Sequence, residues 1–563
     1  GTLLADLSIR QDLSALTKGL AAEASVSFDN IGGMNETTNK EYRYMNSNAS
    51  ITSDGTLVTT PAIYGTDSET LGHTQPFERL MLRSDFQAKV DYNRTFGKHQ
   101  VGGALIYDMQ SVVKNGRNNS QKNQSVLVNA TYTYDNRYSL NAVFNRSGSA
   151  YLPDGDKYSN YPAVSAAWIV SNEAFMEKVT PINLFKIRAS YGLSGWDGNL
   201  SHELWRQSYG SGGAGYNFGV NAGGQSGGSE GDLPVIGLVA EKSQKATFGF
   251  DLAAFDNRLN ATVEGFYEKR SDILVSGANS TSGIIGITVG QVNEGIYKYK
   301  GVDASLSWND KIGDFHYGIG ASMSYLNTEV VNVNQAYQEY DYLYTKGNRI
   351  GQMYGLEAIG FFNSQQEINN SPQQTFSDVA PGDVKYKDQN GDNRIDEKDI
   401  VKMFGSSVPR FYFGFNLNFS YKRLELSADF QGMTGVTVSL LNSPLYSPLV
   451  SNGNISNTFL NEEISWTPEN KTNATMPRLT TQENLNNYRA SSLWYRDGSF
   501  LKLRNLLVAY TFPKSQTRFA DLKVFVQGTN LFSLDNIHFA DPEQLGIAYP
   551  STRSYWAGIK LNF

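Results

Sequence analysis

Tyr555-Trp-Ala-Gly-Ile-Lys-Leu-Asn-Phe563 ends the chain, and its alternation is the key to everything before it. Tyr555, Ala557, Ile559, Leu561 and Phe563 share one side of a period-two strand, with Trp556, Gly558, Lys560 and Asn562 on the other. Chain ends usually fray into water, so a soluble domain gains little by stopping in mid-strand on an apolar aromatic. A strand whose apolar side meets lipid has a use for that ending.

The same pattern recurs upstream. Leu82, Phe86, Ala88, Val90, Tyr92 and Phe96 share one face, and Arg83, Asp85, Gln87, Lys89, Asp91 and Asn93 the other. Phe411, Phe413, Phe415, Leu417, Phe419 and Tyr421 alternate with polar or small residues apart from Tyr412, and Leu424, Leu426, Ala428 and Phe430 continue the rule. Further runs lie at 126–134, 138–144, 185–191, 259–267 and 501–511. A helix cannot present these sets on one side. Sandwich strands also alternate but run to about 5–6 residues, whereas tilted membrane strands need about 9–11. The expected fold is all-β, a transmembrane antiparallel β-barrel of the bacterial outer membrane. Tyr555, Ile559, Leu561 and Phe563 then form the C-terminal insertion signal of such barrels.

Composition agrees. Mean hydropathy is negative and no stretch of about 18 apolar residues exists, which excludes a transmembrane helix but not alternating strands. The 33 tyrosines and 30 phenylalanines supply material for aromatic girdles. Absence of cysteine removes disulfides and thiolate metal sites. A net charge of −7 argues against nucleic-acid partners. No signal peptide stands at Gly1, which for an envelope protein means a mature, trimmed or fragmentary chain.

Short polar turns fall at 14–19, 97–98, 135–137, 177–183, 256–258, 310–314, 421–423 and 513–521, and long Gly/Asn/Ser-rich connections at 31–76, 195–236, 331–408 and 438–497. Tight turns at one end and long loops at the other are the asymmetry of an outer-membrane barrel, periplasmic and external respectively. Eight turns join sixteen strands, and the last strand makes about seventeen. Bacterial single-chain barrels have even strand numbers. The expectation for 1–563 is therefore a barrel lacking an odd number of N-terminal strands; five more would make about 22.

Several segments resemble the C-terminal barrel of the SusC/RagA-like TonB-dependent outer-membrane transporters. They include Tyr132-Thr-Tyr-Asp-Asn-Arg-Tyr138, Phe144-Asn-Arg-Ser-Gly-Ser149, Leu184-Phe-Lys-Ile-Arg-Ala-Ser-Tyr-Gly192 and Pro381-Gly-Asp-Val-Lys-Tyr386. Arg496-Asp-Gly-Ser-Phe-Leu-Lys-Leu-Arg-Asn505, Gly528-Thr-Asn-Leu-Phe532 and Asp541-Pro-Glu543 follow in family order. The resemblance spans about residue 20 to the end. It implies active import of oligosaccharides or peptides, a SusD-like surface lipoprotein as lid, and energy delivered through TonB. It also implies a signal peptide, an N-terminal extension, a TonB box and a plug domain, none of which is present here. It implies no enzymatic activity.

One motif has chemistry of its own. Asp388, Asn390, Asp392, Asp396 and Asp399 put oxygen ligands at positions 1, 3, 5, 9 and 12 of a twelve-residue loop, with Arg394 offering a carbonyl at position 7. This suits a structural Ca²⁺, or less well Mg²⁺. Position 6 is Asn393 rather than glycine, and position 12 is Asp rather than the longer Glu. The alternative is an acidic turn satisfied by water. The pattern resembles the dockerin variety of calcium loop.

Trp196, Trp205, Tyr209 and Tyr216 lie in a long external connection, where aromatic faces suit a sugar or a partner protein. Packing within the loop or at a girdle is the competing reading. Gly210-Ser-Gly-Gly-Ala-Gly215 fits a phosphate-loop pattern but no helix signal follows it. Gly224-Gln-Ser-Gly-Gly228 fits the serine-hydrolase elbow only formally. His73, His99, His202, His316 and His538 show no metal-ligand spacing. Two alternatives to the importer remain: a passive porin or structural barrel, and a secreted all-β glycan-active enzyme.

Overall fold

The computed structural model describes all residues except 52–55, 75–76, 115–119, 218–223, 278, 280–283, 285, 288, 442–463, 481–483, 538–539 and 546–550. Its framework is one antiparallel sheet of 17 strands, each bonded to the next in chain order. The first eight are β1 (Thr2–Asp12), β2 (Leu20–Met34), β3 (Phe77–Phe96), β4 (His99–Lys114), β5 (Ser120–Tyr134), β6 (Tyr138–Ser149), β7 (Tyr158–Ile169) and β8 (Ile182–Trp196). Then come β9 (Glu241–Ala254), β10 (Leu259–Ser276), β11 (Gln291–Ile312), β12 (Phe315–Asn332), β13 (Phe411–Tyr421) and β14 (Leu424–Thr434). The last three are β15 (Phe500–Phe512), β16 (Asp521–Asp535) and β17 (Ser554–Asn562). The strand number and all eight short turns agree with the alternation and turn reading. The long end also carries connections at 115–119, 150–157, 277–290 and 536–553 that turn composition did not single out.

The short turns work because their residues accept a left-handed backbone. Asp135 and Asn136 sit at φ 51° and 52°, and Asp256 and Asn257 at 58° and 62°. Asp and Asn are the non-glycine residues that tolerate this region best. The 135–137 turn is then locked from neighbouring strands. Lys98 pairs with Asp135 at 3.0 Å, and buried Glu173 accepts from Tyr138 Oη at 2.5 Å, Trp168 Nε1 at 3.0 Å and Arg137 Nη1 at 3.1 Å.

The sheet is inside-out relative to a soluble protein. Along β6, Tyr138, Leu140, Ala142 and Phe144 are exposed while Ser139, Asn141 and Asn145 are half-buried. The opposite face carries ion pairs: Arg10 with Asp91 at 3.0 Å and Glu23 at 2.9 Å, Arg83 with Asp85 at 2.8 Å, Lys186 with Asp251 at 3.3 Å. Aromatic rings gather near the short-turn end, as Tyr138–Trp168, Phe255–Trp308, Phe315–Phe419 and Tyr510–Phe512. Exposed apolar surface of this extent is a liability in water and a requirement in lipid. The fold is that of a transmembrane barrel wall, and no helix among the described residues is long and apolar enough to cross a membrane.

β17 follows the same rule. Tyr555, Ala557, Ile559 and Leu561 stand opposite Gly528, Val526, Val524 and Leu522, and Phe563 projects past the last pair. Tyr555, Ile559 and Phe563 are 73%, 70% and 90% exposed, and pairing with exposed Val524 and Val526 puts this face on the apolar side of the sheet. Among the described residues β1 pairs only with β2, and β17 only with β16.

Outward Leu306 and inward Ser305 are adjacent on β11, Leu306 opposite Ala261 and Ala321 and Ser305 opposite Thr262 and Ser322. Leu306→Arg is expected to cost about 2–4 kcal/mol in lipid, near the depth-dependent value for the bilayer midplane. Ser305→Arg should stay within about 0.5 kcal/mol of the parent. Urea unfolding in lipid vesicles reads both, and equal costs would refute the assignment of faces.

Candidate functional site

The long connections are not slack. Apolar residues within them collapse into three buried clusters: Leu152/Leu200/Val235/Leu238/Ala240, Leu440/Met476/Trp494 and Leu356/Val384/Tyr386/Ile395. Leu493 packs against the second and third, and Leu545 joins the second. The connections 333–410, 435–499 and 536–553 therefore share one apolar mass at the long end of the sheet.

A buried carboxylate ties two of them together. Asp383 is fully buried and accepts from Ala380 N at 2.7 Å, Arg478 Nε at 2.7 Å, Asn487 Nδ2 at 2.8 Å and Asn484 Nδ2 at 3.1 Å. Asn487 Oδ1 in turn accepts from Val384 N at 2.9 Å. Asn486 accepts from Gln374 at 2.7 Å and donates to Val384 O at 2.9 Å. Tyr386 Oη donates to Asn486 O at 2.7 Å, and Trp494 Nε1 to Asn487 O at 2.8 Å. Burial drives the Tyr386 hydroxyl far above its ordinary range and pushes Tyr488 up to about 12, with the Asp383 charge adding to both. Both phenols stay neutral, and Tyr386 keeps its proton for the bond to Asn486 O. Gly382 makes the approach feasible: its φ is +93° and a Cβ there would sit 2.4 Å from the Trp466 ring.

A second clamp joins wall to loop. Lys502 on β15, its side chain 4% exposed, pairs with Asp541 and with Glu543 at 2.6 Å, and Arg504 pairs with Glu543 at 2.6 Å. Burial pushes both carboxyls up, but their hydrogen bonds to these cations outweigh it and hold them below the usual range. The segments around Lys502 and Asp541, distant in sequence, thus form one unit.

Behind the platform the inner wall is polar and short-chained. Asp251, Thr262, Ser305, Ser322, Gly414 and Gln431 form one continuous row across β9–β14. Most of that row lines a recess of about 630 Å³. Further toward the loops, Arg188 bridges Asp251 and Glu264. The wall thus presents hydrogen-bonding groups and paired charges toward its inner side.

The acidic loop adopts a tight turn on itself. Asp388 accepts from Gly391 N at 2.7 Å and Asn393 N at 2.9 Å, and Asp392 from Arg394 N at 2.9 Å. Asn390 Oδ1 accepts from Asp392 N at 3.0 Å, and Asp396 from Lys398 N at 2.8 Å. Asp399, fully buried, reaches back to Gln389 N at 2.8 Å and Asp396 N at 2.9 Å. Asn393 takes the left-handed conformation expected at position 6, and Ile395 is buried in the third cluster. Among the described residues no three His, Cys, Asp or Glu side chains converge as a metal cluster.

The four aromatics are carried on two strands and the segment between them. Trp196 ends β8 and is 55% exposed, and Tyr209, 73% exposed, starts a strand spanning Tyr209–Asn217. Trp205 packs on the first cluster under the Arg206 guanidinium, 4.3 Å from its ring, so loop packing claims it. Tyr216 lies in the Tyr209–Asn217 strand, its side chain outside the described residues. Gly210–Gly215 belongs to that same strand, which rules out a strand–turn–helix phosphate cradle, and His538 falls outside the described residues. Asp383, Asn484, Asn486 and Asn487 were missed by the sequence reading, although Pro381–Tyr386 stood among the family-like segments.

A wall with an apolar outer face, a polar inner face and a folded loop platform at one end defines the class: a transmembrane β-barrel. No protein-family model matches the chain. TonB-dependent receptor P26 of Formosa agariphila is 28% identical over 461 residues, covering 77% of this chain and 45% of that receptor. TonB-dependent receptor P3 of the same organism is 26% identical over 546 residues, covering 84% and 51%. TonB-dependent receptor SusC of Bacteroides thetaiotaomicron is 22% identical over 467 residues, covering 77% and 43%. The chain spans about half the length of the curated relatives it matches. The structure of the RagAB peptide transporter shares the fold, with a TM-score of 0.75 at 18% identity over 100% of this chain and 62% of that one. The resemblance to SusC/RagA-like TonB-dependent transporters is borne out, and these relatives are receptors and transporters rather than enzymes.

Asp383→Ala strips Arg478 of its buried partner, a change that costs about 3–5 kcal/mol in other proteins. The expected result is rapid proteolysis within 333–410 and 435–499 while the sheet keeps its heat-modifiable gel migration. Loss of that migration as well would show that platform and wall are one cooperative unit.

Proposed function

We propose that this chain is the barrel and loop platform of a bacterial outer-membrane importer that is energised through TonB. Its cargo is an oligosaccharide or peptide delivered by a SusD-like lipoprotein seated on the platform. The observation that carries the reading is the pairing of a lipid-compatible outer face with a polar lumen beneath folded, aromatic-bearing loops. The likeness to RagAB, a peptide transporter and importer, supports a polymeric polar cargo. Among the described residues β1 and β17 run in the same direction, and each is paired along one edge. A cylinder of about 22 strands needs a plug to avoid leaking.

The test uses the full-length protein, affinity-tagged in its native outer membrane. A surface lipoprotein is expected to co-purify, and uptake of labelled oligosaccharides or peptides should vanish when TonB is deleted. Uptake that persists without TonB would reduce the protein to a passive pore.

The loop 388–399 is the site for a structural divalent cation, Ca²⁺ before Mg²⁺. The spacing of Asp388, Asn390, Asp392, Asp396 and Asp399 and the carbonyl of Arg394 support this. A carboxylate oxygen that accepts one amide keeps a second lone pair for a metal. Calcium is expected to slow proteolysis of 388–399 and Asp388→Ala to abolish that protection; equal cleavage with calcium and with chelator would dismiss the site.

A further inference from the structure

On the outward face of β10–β12, successive rows are apolar from Leu259/Trp308/Ile319 through Ala261/Leu306/Ala321 and Val263/Ala304/Met323 to Gly265/Val302/Tyr325. The next two rows toward the long-connection end change character. Lys300 stands opposite Tyr267 and Asn327, and Lys298 opposite Lys269 and Glu329. Register is unbroken through these rows, so alternation assigns all three lysines to the same side as exposed Tyr267, Val302 and Leu306. Their inward neighbours behave differently: Arg270 pairs with Glu268 at 2.6 Å and lies over the Tyr299 ring. On the outward side, Lys242 of β9 is paired with Asp272 at 3.0 Å. Among the described residues, none of Lys269, Lys298 and Lys300 has a carboxylate within ion-pair distance, although Glu329 is opposite Lys298.

Two lysines directly opposed across an antiparallel pair, with Cβ atoms about 5 Å apart, repel each other. Here that repulsion is placed one row beyond the last tyrosine of the apolar band, at the height where hydrocarbon gives way to headgroups. Lysine in such a place can extend its stem along the apolar surface and hold its ammonium in the polar layer. A bridging multivalent anion turns the like-charge opposition into attraction, and phosphate is an anion that lysine binds well as a point charge.

We propose that Lys269, Lys298 and Lys300 form an exterior site for the phosphate-bearing headgroup of an outer-leaflet glycolipid. The acyl chains lie along the apolar rows below, beside Val302 and Tyr325, and the phosphate sits among the three ammonium groups. This rests on the outer-membrane reading given above, with the long connections facing outward.

The test takes the full-length protein from its own outer membrane in mild detergent, with native mass spectrometry counting retained lipid. Lipid A added in vesicles is the probe, alongside the same lipid dephosphorylated and inorganic phosphate alone. The wild type is expected to retain phosphorylated lipid A, and K269Q/K298Q/K300Q to retain several-fold less at unchanged heat-modifiable migration. The charge-preserving K269R/K298R/K300R should keep it. Equal retention by the glutamine variant, equal retention of dephosphorylated lipid, or displacement by millimolar inorganic phosphate would each overturn the site. Absence of the protein from outer-membrane fractions would instead remove the localisation beneath it, and fractionation shows that separately.

Discussion

In hydrocarbon no water is at hand for an unpaired amide, so a chain of this kind must satisfy its backbone within its own sheet. That constraint explains the long unbroken ladders, such as the pairing of β11 with β12 from Tyr297–Val330 to Ile312–Phe315. It also explains where irregularity is allowed. The register shift between Arg270 and Ile273 falls beyond the apolar rows, and the one between Asp429 and Phe430 is met on the inner side by Asn505, which donates to Asp429. Once the ladder is fixed, period-two alternation leaves a single choice at each position, lipid or lumen.

The wall therefore holds little of the apolar mass that a soluble domain would place at its centre. That mass lies in the long connections, where Trp494, Tyr386, Leu356 and Leu440 are almost wholly buried. Loops in water obey the ordinary rules, and here they obey them strictly: the Asp383 charge has Arg478, two asparagines and a backbone amide around it. A buried carboxylate so fully partnered contributes less to net stability than to fixing one arrangement of its surroundings. The result is a rigid platform anchored on the wall through Lys502 and Arg504.

Legibility followed the same division. Wherever one face meets lipid the pattern is forced, so Tyr555–Phe563, Leu82–Phe96 and Phe411–Phe430 could be assigned from the sequence, and the Asp/Asn turns fixed the strand count. The platform has no period. Asp383 and Asn487 stand 104 positions apart, and nothing in either local segment announces the other. Trp205 shows the same limit: a tryptophan in a glycine-rich stretch reads as exposed until the cluster it packs against, which includes Leu200 and Leu238, is known to converge. The acidic loop was legible as a spacing, and the fold gives that spacing a self-bonded turn with Ile395 as its anchor.

The two charged faces of β10–β12 show what pairing does. Toward the lumen, Glu264, Glu268 and Arg270 each have a partner, so these groups present fixed dipoles rather than free charge. A free cation there would trap anionic groups and slow transit. On the outside the opposite holds, because a wall that must stay at one depth gains from unpaired ammonium groups at the headgroup layer and from aromatic rings at the other boundary. The same lysine is a hazard on one face and an anchor on the other, and alternation of a single residue separates the two.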